Sequence, residues 1–196
     1  MKGPKLIQLF LTVLFLTLHG FFYKTQAQPL KIGVFKVDAT PPIGSPVAYA
    51  ITRSITDSLS ARGIVILSDQ KPIVLCAVDW IAIGNEEMDA WKERLAKAAN
   101  TTTDRVSVHV LHQHDAPWCD FTFQHIVEEY GIKGAPFDST FLLKTIDNVG
   151  LAVERAKKNA QVVTHLGFGE AKVEKVASNR RILGKDGKVA IVRFSS

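Results

Sequence analysis

Two histidines, His112 and His114, separated by Gln113 and followed by Asp115, end the stretch VSVHVLHQHDAP at residues 106–117. Neutral imidazole is the commonest protein ligand of zinc, and a neighbouring carboxylate can ligate the metal or orient a ring through its second nitrogen. Val106, Val108 and Val110 alternate with Ser107, His109 and Leu111, which predicts a half-buried strand. If the backbone stays extended past Leu111, His112 and His114 share a face with Cα atoms about 7 Å apart, and Gln113 points the other way. Pro117 has no amide proton and turns Ala116 away from helical angles, so the strand must stop and leave these side chains at an open edge. The same spacing also suits two surface histidines beside a turn, since His-x-His occurs with and without function.

Other groups invite chemistry more weakly. Cys76 lies in an apolar run, which suits a buried free thiol. Cys119 follows the histidines but has no Cys-x-x-Cys partner to support zinc ligation. Asp79 interrupts an apolar strand and must find a partner, so it is read as a structural hydrogen-bond acceptor, with support of a metal site as the alternative. Asn179-Arg180-Arg181 follows a strand-like run; tandem arginines suit an anion or a developing oxyanion, or simply a solvated surface. Trp118, Phe121, Phe123 and Ile126 form an aromatic patch that either lines an apolar groove or pins a long loop, and pinning is the simpler reading.

The elements that position these groups are legible in outline. Residues 30–37 alternate as a strand, and Asp38-Ala39-Thr40-Pro41-Pro42-Ile43-Gly44 breaks it with a shaped loop. Runs at 61–67 and 73–83, joined by Ser68-Asp69-Gln70-Lys71-Pro72, predict an antiparallel hairpin. Asn85 is expected to cap a helix whose stripe is Met88, Trp91, Leu95 and Ala98. Asp138 is expected to cap a second helix reaching Asn159, with Phe141, Leu142, Ile146, Val149 and Val153 on one face and Gly150 as a mild defect. Strand character returns at 162–176 and 189–194. The pattern predicts an α/β fold, mixed β-sheet covered by helices.

The 196 residues are 46% hydrophobic, enough for one domain with a real core. Lys2 and Lys5, an apolar run at 6–18 and the small-residue site Thr25-Gln26-Ala27 predict a secretory signal peptide over 1–27, hence a secreted or periplasmic protein; an uncleaved anchor is the competing reading, but the apolar run is short for a bilayer span of about 20 residues. Its removal takes Lys2, Lys5 and Lys24 and no acid, lowering the formal charge from +5 to +2. No dense basic stripe interleaved with aromatics remains, which argues against a nucleic-acid partner. Asn100-Thr101-Thr102 is a formal glycosylation sequon.

Taken together, VDATPPIG at 37–44, the runs DSLSARGIVILSD and PIVLCAVD between Asp57 and Asp79, LHQHDAP at 111–117 and ASNRR at 177–181 resemble the neutral/alkaline (non-lysosomal) ceramidase family, particularly its bacterial members. In that family a His-Thr-His-Ser-Gly-Pro turn ligates a single catalytic zinc through its first histidine and supports the site through its second. The resemblance therefore implies His112 as a Zn2+ ligand, His114 and Arg180 as catalytic groups, and Asp115 and Asn179 as supporting ones. Here Asp115 and Ala116 replace the family's serine and glycine, and Arg181 replaces a serine. The family's catalytic domain is longer and takes its other zinc ligands from later segments, which implies that this chain is the N-terminal portion of a larger hydrolase domain, incomplete on its own.

The function expected is zinc-dependent hydrolysis of a linear amide, with a small-molecule or lipid amide as partner and peripheral membrane contact as a further expectation. Two other readings compete. A different His-x-His metal hydrolase is one, but the HxHxDH pattern of metallo-β-lactamase-like proteins is broken by Ala116 and Pro117. A secreted binding domain without catalysis is the other.

Overall fold

The computed structural model describes residues 28–132, 137–174, 176 and 179–193; the signal peptide read at 1–27 lies outside them. The chain divides into two compact units, residues 1–163 and 164–196.

The first unit is built on a five-stranded sheet. Strands β1 (Lys31–Asp38), β4 (Ser60–Leu67), β5 (Ile73–Val78), β7 (Val106–Val110) and β9 (Gln161–Val162) lie in the order β7-β5-β4-β1-β9. β4 and β5 form the expected antiparallel hairpin, pairing Gly63 with Cys76 and Val65 with Val74. β7 joins β5 in parallel, placing Val108 opposite Cys76, and the helix α1 (Asn85–Ala99) makes the crossover that parallel neighbours require. The mixed sheet and its helices confirm the α/β class.

Period-two alternation decides which face is covered. Phe35, Ala61, Val65, Val74, Cys76, Val78, Val106 and Val108 are buried beneath α1 and the long helix α3 (Ser139–Lys158), whereas Val34 on the opposite face is 75% exposed. Trp91 and Leu95 of α1, and Leu142, Ile146, Val149 and Val153 of α3, complete this core; Phe141 packs against it half-buried. α3 begins as read, with the Asp138 carboxylate accepting from the Phe141 amide at 3.0 Å. α1 does not: its cap is Gly84, Asn85 is already helical, and no side chain caps the first turn. Close approach requires two glycines on these elements. A Cβ at Gly33 would overlap the Ala156 backbone carbonyl, so β1 meets α3 only through a bare Cα. Gly150, read as a mere defect, gives the Arg94 guanidinium the room from which it reaches Asp147 at 3.0 Å and Glu154 at 3.4 Å.

Two expectations are corrected. Residues 118–132 are not a long loop: after the short strand β8 (Trp118–Cys119), parallel to β6 (Ala82–Ile83), they form the helix α2 (Phe121–Glu129), capped where Asp120 accepts from Phe123. The strand expected over 162–176 ends at Val162, and the described residues from Val163 to Glu174 have no regular structure.

The second unit contains one antiparallel hairpin, β10 (Arg181–Leu183) with β11 (Val189–Val192), turned at Gly187 with φ +76°. The strand read at 189–194 therefore has a partner within the chain. Its last expected residue, Phe194, lies outside the described residues.

Candidate active-site edge at the end of β7

Beyond Val110 the chain is passed to the segment that follows β5. The Leu111 amide donates to the Val78 carbonyl at 3.0 Å and the His112 amide to the Trp80 carbonyl at 3.1 Å. Trp80 is fully buried, its indole donating to the Ala39 carbonyl at 3.0 Å and its ring lying edge-on to Trp91. The carbonyl that receives His112 is thus fixed by the core itself.

The backbone does not stay extended. His112 adopts φ +58°, a left-handed conformation that is costly for a residue with a Cβ and persists where its surroundings over-determine it. Here the amide is held by Trp80, and the ring is held by its Nδ1, 3.0 Å from the Ile81 carbonyl oxygen. A carbonyl oxygen only accepts, so this bond assigns the proton to Nδ1 and leaves the Nε2 lone pair free. His114 is brought beside His112 by this turn, not by strand alternation; the ring centroids are 5.0 Å apart at 81°. Both histidines are exposed.

The far end of the turn is locked as well. Ala116 and Pro117 are fully buried, and the Pro117 carbonyl accepts from the Ile81 amide at 3.0 Å. The Ala116 carbonyl accepts from Ala48 at 3.1 Å, which docks the tight hairpin of β2 (Pro46–Val47) and β3 (Ala50–Ile51) against the turn. Its tip places Tyr49 edge-on to His114, with centroids 5.6 Å apart and the phenol exposed. Tyr49 escaped the sequence reading, because an aromatic in a two-residue connection carries no local signal of what its tip will touch.

Gln113 and Asp115 face elsewhere. The Asp115 amide donates to the Gln113 side-chain oxygen, and both residues line a cavity of about 590 Å³ bounded by the loop after β1, the β2–β3 hairpin and residues 52–59. Asp79 is a structural acceptor, as read: one oxygen takes the Ser60 amide at 2.8 Å, the Ser60 hydroxyl at 2.9 Å and Arg62 at 3.3 Å. The aromatic patch pins α2, with Trp118 and Phe121 both packing on Phe137, which is 2% exposed. Cys76 and Cys119 are free and buried. Burial raises the Cys76 thiol to about 12. Burial, helped by the carboxylates of Glu87 and Asp120, also pushes the Cys119 thiol up, which opposes the thiolate that zinc needs. Glu87, an acid in the first turn of α1, does not face solvent. It is fully buried, one oxygen accepting from the Phe121 amide at 2.8 Å while the other has no partner, and desolvation holds its carboxyl above the usual range.

Asn179 and Arg180 belong to the second unit. Asn179 accepts from the Arg181 amide at 2.9 Å, and the Arg180 carbonyl accepts from the Arg193 amide at 2.9 Å, leaving both site candidates exposed at the base of the β10–β11 hairpin. Among the described residues no three His, Cys, Asp or Glu side chains gather to hold a metal. His112 fits the role of one ligand, with its tautomer set and its second nitrogen free; a full donor set does not appear around it.

The fold is similar to that of neutral ceramidase from Pseudomonas aeruginosa, with a TM-score of 0.51, 19% identity and coverage of 69% of this chain and 22% of that one. A ceramidase complexed with C2 gives a TM-score of 0.50 at 18% identity and the same coverage. At these identities the likeness is one of fold, a ceramidase-like α/β arrangement, and the chain spans about a fifth of the length of the ceramidases it matches. No family model matches the sequence, and no curated protein does.

Proposed function

We propose that this chain supplies the histidine edge of a zinc-dependent hydrolase of linear amides, of the ceramidase type. The observation that carries the reading is the His112 ring, fastened at Nδ1 to the Ile81 carbonyl and standing beside the ring of His114. Metal-binding histidines are characteristically held in this way, by a second hydrogen bond that fixes tautomer and direction. Zinc, when bound, supplies a Lewis acid for the amide carbonyl and a water acidic enough to attack near neutral pH. His114 holds a proton during the reaction, and Tyr49, packed edge-on at 5.6 Å, restricts its ring. The balance is simple: water adds to the carbonyl carbon, the C–N bond breaks, the nitrogen leaves as an amine carrying the proton, and the acyl group departs as a carboxylate. Asn179 and Arg180 enter the proposal only through the resemblance of ASNRR to the family. Export and peripheral membrane contact belong to the same proposal; among the described residues no helix is long and apolar enough to cross a membrane.

Zinc titration tests this directly. Calorimetry on the wild type should show one weak zinc equivalent, lost in His112→Ala and kept in His109→Ala, which removes an exposed histidine from β7, outside the turn. Unchanged binding in His112→Ala removes the basis of the reading. The rival reading, a binding domain without catalysis, draws on the missing three-ligand group among the described residues, and it predicts no zinc uptake by any of the three proteins.

A further inference from the structure

Helix α2 is attached to the first unit without burying a side chain of its own. None of its nine residues is buried, and Phe123 and Ile126, with Tyr130 just past its end, present 40%, 49% and 78% of their surface to solvent. Its docking therefore rests on few contacts. The apolar ones are Phe121 on Phe137 and Phe123 on Trp118. The polar ones that tie the segment to α1 all reach the first turn of that helix. The Gly84 amide donates to the Cys119 carbonyl at 2.6 Å, a Glu87 oxygen accepts from the Phe121 amide at 2.8 Å, and His125 Nδ1 lies 3.4 Å from a Glu86 oxygen.

Two of these three polar contacts depend on protons. Glu87 is fully buried, and its second oxygen has no hydrogen-bond partner. Burial strips the solvation from a charged carboxylate and so favours the neutral acid. The charged groups acting on it are the carboxylates of Asp120 and Glu86, which disfavour its ionisation further, while the neighbouring Cys119 thiol is itself kept neutral by burial. Backbone amides, that of Phe121 first among them, oppose this shift without cancelling it. The charged side chains that α3 sends to α1, Asp147, Glu154 and Lys157, meet Arg94 and the Ala98 carbonyl, about two turns or more further along the helix. The Glu86–His125 contact is an ion pair only while the imidazole is protonated.

We propose that Glu87 makes α2 a proton-dependent latch, clamped onto the start of α1 while the carboxyl is protonated and released as it ionises. Opening of α2 lets water reach the carboxyl, which then gives its proton to solvent. The docked carboxyl titrates above its ordinary value of 4.5 and the freed one returns toward it, so between the two the docked form binds more protons. Docking is strongest below both values, weakens as pH rises past 4.5, and is level once the docked carboxyl has ionised as well. Loss of the His125 charge acts in the same direction, since histidines change charge between about pH 5 and 8. The latch does not depend on the zinc reading, although β8, which leads into α2, follows directly on Pro117 of the histidine turn.

Native-state hydrogen exchange followed by NMR tests this on the whole chain, with rates converted to protection factors so that the intrinsic pH dependence of exchange cancels. The amides of Gln124 to Glu129 are expected to be at least about fivefold better protected at about pH 5 than at about pH 7.5. At both they should be at least about tenfold less protected than the amides of Leu142 to Val153 in α3, because α2 opens without the rest of the core. In Glu87→Gln, which keeps an oxygen for the Phe121 amide, the pH effect should fall below about twofold. In His125→Ala, where the side chain is 65% exposed, the greater part of the effect should remain. Amides of α2 that exchange together with those of α3, protection indifferent to pH, or a pH effect that survives Glu87→Gln undiminished or disappears in His125→Ala overturns the inference. If the buried substitution prevents folding, the wild type and His125→Ala still decide it.

Discussion

Asp79 offers a quantitative test of how the end of the sheet is held. One of its oxygens satisfies the Ser60 amide and hydroxyl, and Ser60 is only 2% exposed. Truncation in Asp79→Ala leaves that amide buried without an acceptor, a cost of about 1–3 kcal/mol, and removes the bond to the hydroxyl, worth about 1 kcal/mol more. The contact with Arg62 adds little, because that side chain is 54% exposed and surface ion pairs contribute about 0–1 kcal/mol. The expected loss is about 2–4 kcal/mol. Asp79→Asn keeps a carbonyl oxygen for the Ser60 amide and should cost about 1 kcal/mol. Urea denaturation measures both, provided the slope with denaturant is unchanged so that midpoint shifts report stability. A loss below about 1 kcal/mol in Asp79→Ala would refute the structural assignment. If stability held while zinc affinity dropped tenfold, Asp79 would instead belong to the histidine site.

Two further perturbations test the packing. Gly33→Ala should destabilise by at least about 2 kcal/mol, because the new Cβ overlaps the Ala156 backbone carbonyl and neither β1 nor α3 can yield cheaply; a thermal melt indistinguishable from wild type would contradict that approach. Glu87 gives a pH signature. Its folded carboxyl titrates above its ordinary value of 4.5, so the two states bind equal numbers of protons well below 4.5. As pH rises past 4.5 the unfolded chain loses its proton first, and stability falls until the folded carboxyl also ionises, after which it is level. Glu87→Gln, which retains an oxygen for the Phe121 amide, should flatten that part of the stability profile, and urea midpoints between pH 4 and 8 with the same slope in both proteins would rule the assignment out.

Much of the scaffold was legible because its signals are local. The β-rich runs at 61–67 and 73–83 fixed the hairpin, although β5 itself stops at Val78, and Asp138 before an apolar stripe fixed the start of α3. The misread parts depend on distant partners. Residues 121–129 carry aromatics with no buried position, so their helical period was hidden, and α2 is held by distant partners: Phe137 beneath Phe121, and Glu87 from another helix reaching its first amide. Gly150 read as a defect because nothing near it in sequence announces that Arg94, fifty-six positions earlier, needs the space. After Val163, whose amide still donates to the Leu30 carbonyl, residues 164–174 have the composition of a strand but no paired neighbour among the described residues, and β-propensity without a partner does not make a strand.

The histidine pair shows the same division within a few residues. The sequence pattern placed His112 and His114 together by assuming an extended chain, and the structure places them together by abandoning it. What the pattern could not contain is the carbonyl of Ile81, supplied by the bend between β5 and β6, and without it the orientation of the His112 ring does not follow. The three consecutive residues Trp80, Ile81 and Ala82 thereby do different work. Trp80 anchors in the core and takes the His112 amide, Ile81 orients the ring and ties down Pro117, and Ala82 pairs with Trp118 to launch the segment leading to α2. Removing the Trp80 indole would therefore disturb the site through the backbone, with no direct contact between the two side chains needed, which is how a buried tryptophan on β5's exit comes to govern an exposed histidine on β7's.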